Sequence, residues 1–175
     1  MNEQQLIEGC KKGNKPAQKE LYDTYSRKMM GVCLRYVSDR ETARDILQEG
    51  FIKVFCSISS YAGAGSFEGW IRKIFVNCAL EYLRKSDVLR DAVDLDHTCE
   101  VTGSGHSVIA EISANELMKI VQDLPTGFRT VFNLFAIEGY THKEISETLG
   151  ITESTSRSQY TRAKQLLQRK IKDLF

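Results

Sequence analysis

Between Thr152 and Lys172 the side chains of Ser154, Arg157, Ser158, Thr161, Arg162 and Gln165 recur one, three and four residues apart, the spacing that gathers them on one face of a helix. All six form hydrogen bonds, and two are guanidinium forks whose shape matches guanine edges and phosphates. The stretch carries six basic residues (Arg157, Arg162, Lys164, Arg169, Lys170 and Lys172) against one acid, Glu153. Such a local excess suits a polyanion, and duplex DNA is the partner it fits. A basic helix face standing alone is more often just solvated. The flanking sequence reverses that reading.

The opposite stripe of this helix is Ser156, Tyr160, Ala163, Leu167 and Ile171, which faces a core. Thr152 is placed to cap the helix, with Glu153 in the first turn, where the helix dipole favours an anion. Just upstream, Thr141 and Glu144 have the spacing of a capping box. Ile145 and Leu149 share a face, and Gly150 follows where a helix end favours a left-handed residue. Helix, glycine turn and second helix with a polar arc together read as a helix-turn-helix.

The remaining elements must carry or position this unit. With 175 residues, 42% of them hydrophobic, the chain has room for one ordinary domain or two small ones with real cores. Its 24 basic and 23 acidic residues nearly cancel, so nucleic-acid affinity must come from uneven distribution. Five cysteines, Cys10, Cys33, Cys56, Cys78 and Cys99, are odd in number and form no C-x-x-C. They read as small buried hydrophobes rather than as disulfides or a zinc site. The absence of a signal peptide and of any apolar run near eighteen residues predicts a cytoplasmic protein without membrane insertion.

Every element that the sequence pattern defines is helical. Asn2 is placed to cap a short helix carrying Leu6 and Ile7 and ending near Gly13. Asn14 caps a second, with Pro16 in its first turn, which runs to about Val37 through Leu21, Tyr25, Val32 and Tyr36. Asp39 caps a third over Arg40–Ser57, with Ala43, Leu47, Val54 and Phe55 inward and Asp45, Gln48, Glu49 and Lys53 outward. The run from Ser59 to Ser66 has the small residues and paired glycines of a loop that lets backbone approach a ligand. Ser66 caps a fourth helix, Phe67 to Lys85. Its apolar side is Phe67, Trp70, Ile71, Ile74, Phe75, Cys78 and Tyr82, with Arg72, Lys73, Asn77, Arg84 and Lys85 elsewhere. Aromatics interleaved with bases suit single-stranded nucleic acid, and they suit a helical core equally well.

From Ser86 to Glu116 seven acids face only Arg90, and Gly103, Ser104 and Gly105 interrupt, which predicts a flexible acidic linker at least to Ser107. His97, Cys99 and His106 within it match no zinc spacing. A second domain starts near Val108. Its first helix holds Ile109, Ile112, Leu117, Ile120 and Val121 and is broken by Leu124 and Pro125. Another follows from Thr126 with Phe128, Val131, Phe132 and Phe135 inward, ending at Gly139. No P-loop, G-x-S-x-G or H-E-x-x-H is present, so the sequence predicts no enzyme, no cofactor and no metal.

Two separate stretches together resemble bacterial sigma factors of the extracytoplasmic-function group, the small two-domain members of the sigma-seventy family. Asp45 to Phe55 is similar to that family's core-polymerase-binding helix, and Phe67 to Asn77 with Arg84 and Lys85 is similar to its promoter-melting helix. Leu124 and Pro125, Arg129 to Phe132, Glu138 to Tyr140, Glu144 and Ile145, Leu149 and Gly150, and Arg162 to Lys164 resemble the domain that reads the upstream promoter element. Glu81, Ser156 and Lys164 depart from the pattern, which often has Asp, commonly an apolar residue and usually Arg at those positions.

The resemblance implies an all-α fold of two small helical domains joined by a flexible acidic linker, with boundaries at 1–85, 86–107 and 108–175. It implies that Asp45, Gln48 and Glu49 contact core RNA polymerase. Tyr61, Ser66, Trp70, Asn77, Arg84 and Lys85 would meet the melted minus-ten strand of promoter DNA. Thr155, Arg157, Ser158, Thr161, Arg162 and Lys164 would meet the minus-thirty-five duplex. An anti-sigma factor is the further implied partner. The alternative is a dimeric helix-turn-helix regulator whose first domain binds an effector or dimerises, since two half-sites supply what one short helix cannot specify.

Overall fold

The structure is a computed structural model that describes residues 1–86 and 113–174. Among the described residues every regular element is a helix, and there is no strand. The chain divides into two compact units, Met1–Tyr82 and Leu83–Phe175. Most of the acidic linker, with His97, Cys99 and His106, lies outside the described residues, as do Val108, Ile109 and Ile112.

The first unit contains α1 (Glu3–Lys11), α2 (Lys15–Tyr36), α3 (Arg40–Ser57), a 3-10 turn (Ile58–Ser60) and most of α4 (Phe67–Lys85). Helix starts leave backbone N–H groups without partners, and short polar side chains supply them here. Asn2 and Gln5 close a reciprocal capping box. Asn14 Oδ1 accepts from the Ala17 amide at 3.0 Å, and Asp39 accepts from the Thr42 amide at 2.8 Å. The Thr42 hydroxyl and amide hold the Asp39 carboxyl below its usual range. Each such cap is worth about 1 kcal/mol.

Leu21, Met29, Tyr36, Ile46, Val54, Ile58, Phe67, Ile71 and Phe75 are fully buried between these elements. Burial of each large side chain contributes roughly 1.5–3 kcal/mol. Gly50 lets α3 approach the Phe75 ring closely: a Cβ built on it would lie 2.2 Å from Cε1. The inward face of α3 includes Ile46 and Phe51 as well as the expected Ala43, Leu47 and Val54, while Phe55 is only half-buried. On α4 the buried face is rotated toward Val76, Ala79 and Leu80, so Trp70 and Ile74 fall on its flank. Tyr82, expected inward, is exposed; its amphipathic ring keeps a polar tip in water.

The second unit contains α5 (Ala114–Gln122), α6 (Thr126–Phe132) continued by a π turn (Asn133–Ile137), α7 (His142–Leu149) and α8 (Glu153–Lys172). The expected start of the domain near Val108 lies outside the described residues, and α5 itself begins at Ala114 behind a capping box of Ser113 and Glu116. Its Leu117 is exposed, whereas Ile120 and Val121 join Leu124, Ala163 and Leu167 in a core flanked by Phe128, Phe132, Leu166 and Ile171. In α6 the fully inward residues are Val131 and Thr130, with Leu134 and Asn133 of the π turn. Phe128, Phe132 and Phe135 are half-buried, the first two packed against the core as expected. Arg129 is buried and donates from Nη1 to the Gln122 carbonyl at 2.6 Å, capping the end of α5.

Cys10, Cys33 and Cys78 are buried as expected, and burial pushes the Cys33 thiol up to about 12, so it stays an inert packing group. Cys56 departs from the expectation and is exposed; Cys99 lies outside the described residues.

Candidate nucleic-acid interface

The helix-turn-helix is fixed locally at both starts. The Thr141 amide donates to Glu144 Oε2 at 2.8 Å, and the Glu144 amide donates to Thr141 Oγ1 at 3.2 Å. Gly150 closes α7 at φ 69°, a left-handed conformation that costs glycine little. Thr152 then caps α8 through the Thr155 amide at 3.1 Å, and the Thr155 hydroxyl lies 2.9 Å from that of Thr152.

Along α8 the buried stripe is Ser156, Gln159, Ala163 and Leu167, with Tyr160 and Ile171 half-buried beside it. Gln159 was not expected there, since its amide suits the polar arc equally; only its three-residue spacing from Ser156 signals burial. On the far side Ser154, Arg157 and Thr161 are exposed, and Ser158, Arg162 and Gln165 are half-buried. Arg157 Nη2 lies 2.9 Å from Glu153 Oε2, an exposed pair that aims the guanidinium more than it stabilises the helix. Thr161 turns its hydroxyl back to the Arg157 carbonyl at 3.0 Å, and the Lys164 ammonium sits 4.7 Å over the Tyr160 ring.

In the first unit Asp45, Gln48 and Glu49 are exposed on one face of α3, together with Ile52, which is 63% exposed. Lys53 lies 3.3 Å from Glu49 and donates to Glu81 of α4 at 2.6 Å. These carboxylates hold the Lys53 ammonium well above the ordinary lysine range, the Glu81 hydrogen bond contributing most.

The loop before α4 is held from inside. Tyr61 is 9% exposed, with its ring 5.1 Å from Phe67 and 5.3 Å from Trp70, and its hydroxyl donates to the Gly65 carbonyl at 2.9 Å. Lys11 of α1 donates to the Tyr61 carbonyl at 3.1 Å, and Ser66 Oγ accepts from the Gly69 amide at 3.1 Å. The intervening tip, Ala62 to Ala64, is exposed and carries nothing larger than a methyl. Trp70, Asn77 and Arg84 are seven residues apart and so share one flank of α4, with Lys73 nearby. Asn77, Arg84 and Lys85 are exposed, while Trp70 is half-buried and stacked 5.8 Å from Phe67. The sequence reading passed over Lys11, whose role depends on a contact fifty residues away that no local pattern announces.

Among the described residues no group of His, Cys, Asp and Glu is arranged to hold a metal, and no helix is long and apolar enough to cross a membrane. The arrangement offers nucleic acid two surfaces, a basic helix with a hydrogen-bonding arc and a glycine loop leading into an aromatic and basic flank.

Comparison with known proteins gives consistent matches. The sigma-70 region 2 family matches residues 21–88, and the sigma-70 region 4 family matches residues 114–167. The ECF RNA polymerase sigma-E factor of Haemophilus influenzae is 30% identical over 185 aligned residues, covering 99% of this chain and 97% of that one. The RNA polymerase sigma-H factor of Pseudomonas aeruginosa is 26% identical, covering 98% and 95%. Among solved structures, the sigma factor RpoE of Bartonella quintana, crystallised with the anti-sigma factor NepR, superposes with a TM-score of 0.53. It is 19% identical, and the match covers 88% of this chain and 96% of that one. CnrH, in complex with the cytosolic domain of CnrY, gives 0.52 at 18% identity, covering 96% of each chain.

Proposed function

The chain belongs to the extracytoplasmic-function group of RNA polymerase sigma factors, in the sigma-70 family, and from that premise we propose how its surfaces divide the work of directing transcription. Residues 1–85 dock on core RNA polymerase and accept melted promoter DNA, 86–107 link, and 108–175 read duplex. The exposed face of α3 with Asp45, Gln48 and Glu49 meets the polymerase. The Tyr61–Ser66 loop and the α4 flank of Trp70, Asn77, Arg84 and Lys85 receive the minus-ten strand. Thr155, Arg157, Ser158, Thr161, Arg162 and Lys164 meet the minus-thirty-five element in its duplex form. The protein directs chemistry performed by the polymerase and acts where that polymerase is, in the cytoplasm. An anti-sigma factor holds it in reserve, as NepR accompanies the Bartonella protein.

The observation that carries this reading is α8: Ser156, Gln159, Ala163 and Leu167 are buried on one side, and Arg157, Ser158, Thr161 and Arg162 stand on the other. In a recognition helix the N-terminal turns enter the major groove while the distal end passes the backbone. Arg157→Ala or Arg162→Ala is therefore expected to cost about 1–3 kcal/mol and to relax preference at one promoter position. Arg169→Ala, at the exposed distal end, is expected to weaken binding to all sequences alike and lower the salt slope by about one. Binding of holoenzymes to single-base promoter variants at two salt concentrations tests both; uniform loss in the first pair would remove base reading from this face.

The loop makes a separate prediction. Asn77→Ala, which removes an exposed amide and no core contact, is expected to slow strand opening about tenfold while closed-complex binding persists, since an unstacked base needs a hydrogen-bonding partner. Permanganate footprinting over time reads it. Normal opening would return Asn77 to ordinary surface.

A further inference from the structure

Ser156 stands on the buried stripe of α8, 0% exposed, where a hydroxyl needs a partner. Its Oγ lies 2.8 Å from His142 Nδ1 in the first turn of α7. The imidazole stacks on Phe135 of the π turn at 4.3 Å and 13°, and Tyr160 of α8 lies 6.0 Å away. Three helical elements therefore meet at one ring.

The only fully buried side chain of α7 is Ile145, and apolar contact of that kind has no directional preference. A hydrogen bond has one. Ser156 immediately precedes Arg157, so whatever fixes the rotation of α8 at Ser156 also fixes the angle at which Arg157 leaves the helix. We propose, resting on the duplex-reading role of α8 above, that His142 is a positioning residue for promoter recognition, and that its bond to Ser156 sets the rotation of the recognition helix.

In the neutral tautomer protonated at Nε2, Nδ1 accepts from the Ser156 hydroxyl, and protonation of Nδ1 would reverse that bond. Burial and the neighbouring Arg157 hold the His142 pKa below its ordinary 6.5, with Glu153 opposing them. The remaining α8 neighbour that titrates is Tyr160, and the π turn, Asn133 to Ile137, carries no titratable residue. A depressed histidine pKa means that the folded arrangement favours the neutral ring. Its contribution is complete above pH 6.5 and is lost as pH falls through the lower folded value. Base discrimination by α8 should weaken over that same range.

The test uses the full chain assembled with core RNA polymerase and a duplex upstream element selected by that holoenzyme from a random library. Discrimination against single-base variants of the selected duplex and thermal melting of each chain are measured together. Ser156→Ala and His142→Phe each leave one polar group unpaired; both are expected to lower melting and to reduce discrimination at the Arg157 position about tenfold. The double variant leaves no orphaned group, so melting should recover while discrimination stays low, an outcome that a merely structural role would not give. His142→Asn keeps a polar atom near the Nδ1 position and does not titrate. It should retain most discrimination and make it independent of pH between 5.5 and 7.5, in roughly the span where histidine ordinarily changes charge. Discrimination in the double variant equal to that of the unaltered chain would overturn the proposal. If the unaltered holoenzyme selects no upstream sequence at all, the duplex-reading role itself fails and takes this inference with it.

Discussion

A chain carrying Gly50→Ala is expected to lose about 10 °C of melting temperature in its first unit. The added methyl would sit 2.2 Å from Cε1 and 2.6 Å from Cδ1 of Phe75, a ring that is fully buried and already in edge contact with Phe51 at 5.1 Å. Overpacking of this kind costs about 3 kcal/mol when the neighbour cannot yield. Alanine in place of a mid-helix glycine returns about 1 kcal/mol of helix propensity. The remaining 2 kcal/mol or so, in a unit of this size, corresponds to the stated shift. Circular dichroism melting reads it directly, and an unchanged midpoint would mean that the Phe75 ring has room that its burial denies. The same replacement at Gly31, where nothing beyond its own helix backbone and chain neighbours lies within 4 Å of the added methyl, should instead be neutral or stabilising.

Gln48→Ala combined with Glu49→Lys is expected to weaken binding to core RNA polymerase about a hundredfold, close to 3 kcal/mol, while the fold survives. Both side chains are exposed, so neither leaves a cavity. Lys53 loses its partner at position 49 but keeps Glu81 at 2.6 Å, which limits the cost of placing a second cation nearby. Pull-down with core enzyme, beside an unchanged far-ultraviolet spectrum, checks both halves. Undiminished capture would take the α3 face out of the interface.

Much of the fold is legible in the sequence because its punctuation is local. The bounds of α3 and α4 follow from Asp39 and Ser66 at their starts, and those of α7 from Thr141 and Gly150, each read within a few residues. What escaped depends on contacts distant in the chain. The turn of α4 that buries Val76 and Leu80 instead of Tyr82 depends on what surrounds the helix, which periodicity cannot supply. At the candidate site the polar arc of α8 was readable, but not the burial of Gln159 or the meeting of His142 with Ser156, fourteen residues apart on different helices. The burial of Tyr61 and its hydroxyl's bond to the Gly65 carbonyl were equally unannounced by the loop's composition.

Side-chain caps at Asn2, Asn14, Asp39, Ser66, Ser113, Thr141 and Thr152 have a kinetic consequence. Each closes its first turn with residues at most three positions away, so the unfavourable nucleation of a helix is eased before any long-range contact forms. Helical units built from near neighbours in sequence fold in microseconds to milliseconds, well within the time a ribosome takes to add one further residue. The first unit should therefore be folded while the recognition helix is still being synthesised, and the exposed face of α3 should exist before the DNA-reading face does.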